Sequence, residues 1–311
     1  MNLISRKFII SREINNFKKI QDSNLIMSNL RDFLQSKLPK PIYKFLLQIF
    51  RLRLCFYNMF KPVGSFTILK MVVLEYFNPQ KTIYIPNLKI YTKCNYFTLT
   101  TLIEIYNREL YKELHNLNCV LDVGSFIGES SIYLIENNNK KVISIEASRD
   151  KFKLLKKNIE GYKEKIIGLN KALVNSGEKE ALFYSSGAYD FCSSTISQKR
   201  LTHKEVVKTI HIKDLISKYQ FDGLKMDIEG GEFEILEFYL KHKNKFTYKK
   251  GIIEFHFSTD YDKRIKIFKE FFEFLNQNTY KIKLFDNYNK RVTLKEIENK
   301  KIQCLNLLFE K

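Results

Sequence analysis

Two segments concentrate the residue types that can do chemistry in this chain. They are Asp122-Val123-Gly124-Ser125-Phe126-Ile127-Gly128 and Lys225-Met226-Asp227-Ile228-Glu229-Gly230-Gly231-Glu232. The first sets an acid and two glycines between a short apolar run, 119–123, and a stretch from Glu129 to Ile135 whose apolar residues recur at helical spacing. A strand that turns into a helix through glycine offers a ligand bare backbone and a helix N-terminus, the arrangement of a nucleotide-cofactor site. Glycine suits such a turn because it accepts left-handed or closely approached backbone.

Downstream, 140–146 reads as a second strand with Glu146 at its end, where a doubly wound sheet places the acid that accepts bonds from ribose hydroxyls. A dinucleotide site would show G-x-G-x-x-G, whereas the pattern here is Asp122-x-Gly124-x-x-x-Gly128. That spacing favours S-adenosylmethionine over NAD. An NAD-dependent oxidoreductase is further disfavoured because no Tyr-x-x-x-Lys pair follows the fourth strand.

The second segment is another strand that ends in charge before a helix. Side chains alternate along a strand, so Lys225, Asp227 and Glu229 are expected on one side, at the carboxyl end of the sheet. The plainer alternative is Glu229 and Glu232 facing a helix dipole beside a Lys–Asp ion pair. Glu254 and His256 share a strand face near the same edge, which makes His256 a further candidate, although a lone strand histidine is more often structural. Asp227, Glu229 and His256 would offer a divalent ion oxygen and imidazole ligands. Their spacing is not diagnostic, so no metal is assigned.

Positioning these residues requires alternating strands and helices, the pattern of a parallel sheet covered on both faces. Strands are expected at 119–123, 141–146, 165–170, 180–184, 207–211, 222–227, 250–256, 280–285 and 303–309, and helices at 129–137, 149–158, 212–218, 231–240 and 262–277. Before them, 82–91 reads as a β-hairpin around Pro86-Asn87 and 99–114 as a helix. Residues 1–78 form a helical N-terminal segment of unassigned role, and 79–311 the main domain.

The chain has 311 residues, 44% of them apolar, enough to fill a core. Its five cysteines are scattered without a C-x-x-C pair, so neither a zinc knuckle nor a disulfide framework is indicated, and a reducing compartment fits best. No secretory signal and no membrane span are expected, since charges interrupt every apolar run short of the roughly 18 residues that spanning needs. The net charge of +19 is spread along the whole chain, which favours a solvated basic surface over a nucleic-acid groove. Such a surface also suits an anionic membrane face or an acidic glycan or lipid. The apolar, basic stretch 42–60 would serve either for packing on its own domain or for lying on a bilayer.

The two segments, together with Ile145-Glu146-Ala147-Ser148, Asn158-Ile159, Asn170-Lys171-Ala172-Leu173, residues 207–215 and Ile253-Glu254-Phe255-His256, resemble the FkbM-type methyltransferases in order and spacing over about 115–257. The Lys-x-Asp-x-Glu-Gly-x-Glu block is the most specific element. Ala147-Ser148 in place of the usual Glu-Pro, and Ser125 in place of the common Ala, are departures from the pattern. The resemblance implies an α/β, class I Rossmann-like doubly wound sheet, mostly parallel with an antiparallel C-terminal edge, and an S-adenosylmethionine-dependent O-methyltransferase. It implies a cofactor-binding set of Asp122, Gly124, Ser125, Gly128, Glu146, Asn170 and Ala172. In this set Asp122 lies near the cofactor ammonium, Glu146 at the ribose, and Asn170 to Ala172 along the adenine. Asp227 or Glu229 would be the base that takes the acceptor proton, with Lys225 orienting the carboxylate or binding the acceptor. The expected acceptor is a hydroxyl of a sugar, glycolipid or small metabolite, and the expected location is cytoplasmic, with peripheral contact at the inner membrane face through 42–60. Against it stand an RNA methyltransferase and a non-catalytic basic module that binds RNA or membrane.

Overall fold

Helix α1 (Ser65–Phe77) opens the described part of the protein, burying Ile68, Met71 and Val72 while Phe66 and Phe77 stay exposed. The computed structural model describes residues 61–78, 81–185, 193–194, 203–257, 260–286, 289–300 and 302–311. These all fall in one compact unit, Asn58–Lys311, which includes α1. The expectations for 1–60, including the basic apolar stretch 42–60, lie outside the described residues.

Thr82–Ile85 (β1) and Ile90–Lys93 (β2) pair antiparallel around a 3₁₀ turn at Pro86–Leu88, the hairpin that the sequence predicts. The helix expected over 99–114 is shorter and earlier: α2 spans Tyr96–Leu102, capped by the Asn95 side chain, and widens into a π turn at Ile103–Asn107. Its continuation is stopped where Asn107 turns aside, its side chain accepting from Val63 N at 2.9 Å.

The central sheet contains Cys119–Val123 (β3), Lys141–Ile145 (β4), Ile166–Leu169 (β5), Gly223–Met226 (β10), Lys250–His256 (β11), Lys281–Asp286 (β12) and Cys304–Glu310 (β13). It runs in the order β12-β13-β11-β10-β3-β4-β5. Every position of β3 is buried, which is why that strand reads as a continuous apolar run and not as an alternating one. β13 lies antiparallel to both β11 and β12, as the expected antiparallel C-terminal edge. Helices α3 (Glu129–Glu136) and α4 (Arg149–Asn158) follow β3 and β4. On the other half, β10 leads to a helix at Glu232–Lys241, which packs against another at Tyr261–Gln277. Leu121, Val123, Ile143, Met226, Ile253 and Phe255 from the strands join Phe268 and Phe271 from the last of these helices in one core.

The chain leaves β3 in opposite directions, through β4 on one side and β10 on the other, so a crevice opens between their carboxyl ends. Two predicted strands do not join this sheet. Glu180–Ser185 (β7) and His203–His211 (β9) pair antiparallel in a separate sheet of order β6-β9-β7-β8, completed by the short strands Ala172–Val174 (β6) and Ser193–Ser194 (β8). The alternating pattern suggested one sheet because β6, three residues long, carries no periodicity of its own. The helix at Ile212–Lys218 (α5) follows β9 with its predicted bounds.

Candidate functional site

Gly124 sits directly after β3 with φ +77°, and a Cβ there would fall 1.8 Å from the carbonyl oxygen of Asp227. The turn after β3 therefore presses against the turn after β10, and only glycine fits between them. The same turn folds over β4, where Gly124 N and Ser125 N both donate to Ile145 O at 3.0 Å, while Ser125 Oγ donates to Asp122 O at 2.8 Å. Gly128, at φ +88°, starts α3.

A cleft opens where these turns meet the end of β4. Of the residues predicted for the site, Gly124, Glu146, Ala172, Lys225, Asp227 and Glu229 line it. Asp122, Ser125, Gly128 and Asn170 do not form its walls. Glu146 is buried, its Oε2 accepting from Phe126 N at 3.0 Å and its Oε1 from Ser148 N at 2.8 Å. Burial raises its pKa despite the Lys151 charge nearby. Asn170 holds this corner in place, its amide donating to the carbonyls of Glu146 and Ala147 at 2.9 Å each.

The structure places Asp122 behind the cleft wall. It is fully buried, and its Oδ2 accepts from Ser130 Oγ and Ser131 Oγ at 2.6 Å each. Its Oδ1 lies 3.5 Å from Lys225 Nζ. The carboxylate braces α3 and Lys225, with its Oδ1 buried and without a hydrogen-bond partner among the described residues. Lys225 in turn donates from Nζ to Gly124 O at 2.7 Å and Val123 O at 3.3 Å. Burial alone would lower the Lys225 pKa, but the negative charges of Asp122, Asp227, Glu129 and Glu254 outweigh it and raise it. The lysine is thus a charged clip between the two turns, with part of its length on the cleft wall.

Sequence reasoning missed Glu129. It stands in the first turn of α3, lines the cleft, and accepts at Oε2 from Ile127 N at 3.2 Å. Burial pushes its pKa up to about 8. The sequence showed an acid directly after Gly128, at the head of the helical stretch, and its spacing assigned it no role. Phe126, Phe183 from β7, Ile105 from the π turn and Tyr111 also line the cleft. Phe126 belongs to the first motif, whereas no local motif marks the other three, because they arrive from separate elements.

At the other end of the cleft, carboxylates crowd around the end of β10. Burial and the charge of Glu254 push Asp227 up to about 7. Glu229 adopts a left-handed φ of +53°, turning at the point where β10 gives way to the next helix. His256 reaches the group from β11: Nδ1 lies 3.1 Å from Glu232 Oε1, and Nε2 lies 3.5 Å from Glu254 Oε1 and 3.9 Å from Glu229 Oε2. Burial would lower the His256 pKa, yet Glu232 and the other acids hold it well above the ordinary range. The arrangement predicted for Lys225, Asp227 and Glu229 thus brings in Glu232, Glu254 and His256 as well.

The FkbM methyltransferase domain matches residues 122–282, more than half of the chain. No curated protein matches it. Among solved structures, the chain is similar to an FkbM methyltransferase from Methylobacillus flagellatus KT, at 18% identity and a TM-score of 0.41, covering 66% of this chain and 47% of that one. The chain thus spans less than half the length of that protein. It is also similar to an O-methyltransferase from Bacillus cereus in complex with SAH, at 14% identity and a TM-score of 0.38, covering 70% and 82%. An rRNA methylase from Streptococcus thermophilus gives 11% identity and a TM-score of 0.36, covering 66% and 93%. With more than half of its length matched by the family model, and with both motif segments inside the match, this chain belongs to the FkbM methyltransferase domain family.

Proposed function

We propose that the protein is an S-adenosylmethionine-dependent O-methyltransferase acting on a hydroxyl of a sugar, glycolipid or related small metabolite. The observation that carries this reading is the placement of two acids, Glu129 and Glu146, on one part of the cleft and two more, Asp227 and Glu229, on another, with the Gly124 turn between them. When bound, S-adenosylmethionine supplies a methyl group on a positively charged sulfur. The donor set fits such a ligand: Glu146 retains acceptor capacity for ribose hydroxyls beyond its two backbone bonds, and Glu129 offers a buried carboxyl that gives up its proton to face a cationic amino acid portion. Phe126, Ala172 and Phe183 give apolar walls for a base.

An acceptor hydroxyl held beside Asp227 and Glu229 is aligned for attack and has a carboxylate to receive its proton. Lys225, clipped to Gly124 O, keeps the base-bearing turn in register with the cofactor turn. Isothermal titration of the purified protein with S-adenosylmethionine, S-adenosylhomocysteine and NAD tests the cofactor. Binding to the first two and not to NAD is expected, and no binding by a folded protein would sink the reading. Loss of a methyl-sugar mass from a strain lacking the protein tests the acceptor class. An RNA acceptor is the second reading, and it predicts RNA binding that weakens steeply with salt.

A further inference from the structure

We propose that Asp227, Glu229 and His256 form a binding site for a divalent transition-metal ion at the wall of the cleft. One ligand atom from each of the three lies within 4.8 Å of the others, the span over which a single ion can be shared. Two carboxylates and an imidazole suit manganese, iron or zinc better than a hard ion such as calcium.

The orientation of His256 is the second, independent observation. Glu232 is fully buried, and its Oε1 sits 3.1 Å from His256 Nδ1, while its Oε2 is buried without a hydrogen-bond partner. A carboxylate on one ring nitrogen fixes the ring and directs the other nitrogen outward, the outer-shell arrangement that supports ligating histidines. Here the outward nitrogen, Nε2, faces Glu254 at 3.5 Å and Glu229 at 3.9 Å. Nε2 thus points at the oxygens of Glu229 and Glu254, so that an ion taking the place of the ring proton would meet an imidazole nitrogen and carboxylate oxygens together.

The surrounding charges favour such an ion. Asp227, Glu229, Glu232 and Glu254 converge on one imidazole. Among the described residues, Arg264 Nη1 donates to the His256 carbonyl, and Lys225 Nζ bonds Gly124 O and sits beside Asp122. Glu254 also accepts from Cys304 Sγ at 2.9 Å, which holds it at the rim of the group as a further oxygen ligand. The simplest rival is a proton on Nε2 in place of the ion.

Because Asp227 and Glu229 also line the cleft, an ion here stands where an acceptor hydroxyl can reach it. That role in transfer rests on the methyltransferase reading; the binding of the ion does not. The test is titration of the metal-stripped full chain with Mn²⁺, followed by electron paramagnetic resonance of the free ion, with Zn²⁺ and Mg²⁺ as competitors. S-adenosylhomocysteine binding is measured on the same samples. One Mn²⁺ per chain is expected, with affinity reduced about tenfold or more in E232Q, which changes the partner of Nδ1 and keeps an amide oxygen for Ile228 N, and lost in H256A and D227N. Circular dichroism shows whether each variant is folded. Absence of Mn²⁺ and Zn²⁺ binding by the folded protein would overturn the site, as would undiminished binding in all three variants. Loss of S-adenosylhomocysteine binding with Mn²⁺ binding intact would overturn the cofactor reading and leave the metal site standing.

Discussion

Lys225 Nζ donates to the carbonyl oxygen of Gly124 at 2.7 Å while standing 3.5 Å from Asp122 Oδ1, so one buried cation ties the carboxyl ends of two neighbouring strands. Removing it leaves Asp122 buried, charged and short of a partner, which costs about 3–5 kcal/mol when one member of a buried pair is lost. Lys225→Met is therefore expected to be strongly destabilised in urea unfolding. Adding Asp122→Asn to it should recover part of the loss, and a double variant no more stable than Lys225→Met would contradict the pairing.

Gly124→Ala places a methyl group against the Asp227 carbonyl and demands a left-handed backbone from alanine. The backbone term alone costs about 1–2 kcal/mol, and the steric conflict adds to it. Lower thermal stability together with weakened S-adenosylhomocysteine binding is expected. A variant that binds as the wild type does would show that the two turns are not in firm contact.

Glu129 gives a pH dependence whose sign is fixed. Its carboxyl keeps its proton in the folded state up to about 8, against an ordinary value of 4.5. Between those values the folded state holds more protons than the unfolded one, so this group's contribution favours folding most at the acid end and is lost as pH rises through the window. Relative to Glu129→Gln, the wild type should lose stability by several kcal/mol from the acid end to the alkaline end. Denaturant unfolding at a series of pH values measures it, and parallel curves for the two proteins would remove the assignment.

The same group should link cofactor affinity to pH. A cationic ligand favours ionised Glu129, so binding releases a proton and tightens as pH rises toward 8. Calorimetry of S-adenosylmethionine in buffers of different ionisation enthalpy would detect that proton, and buffer-independent heats would show that Glu129 does not face the ligand's charge.

Glu146→Ala removes the acceptor of Phe126 N and Ser148 N and, on the proposed reading, of the ribose hydroxyls. Hydrogen bonds to charged groups are worth about 1.5–3 kcal/mol each, so affinity for S-adenosylhomocysteine should fall by about ten- to a hundredfold or more. Asp227→Asn should behave in the opposite way, retaining cofactor binding while turnover falls by about 10²–10⁴. If Asp227→Asn turns over normally, the proton goes elsewhere.

The sequence by itself determined the motif-bearing strands and the turns after them. β3 at Cys119–Val123 and β11 at Lys250–His256 have their predicted ends, because an apolar run bounded by glycine or charge is a local signal. Gly124, Glu146, Asp227 and Glu229 were legible for the same reason: each follows a strand, and strand ends converge in a doubly wound sheet. Tertiary structure decided what those residues touch. Asp122 faces two serines and a lysine, and no spacing rule tells a carboxylate that braces a helix from one that meets a ligand. Glu129 and His256 gain their character from burial and from charges on distant segments. The separate sheet carrying Phe183 was likewise invisible, since strand periodicity reports which side chains alternate and not which strands pair.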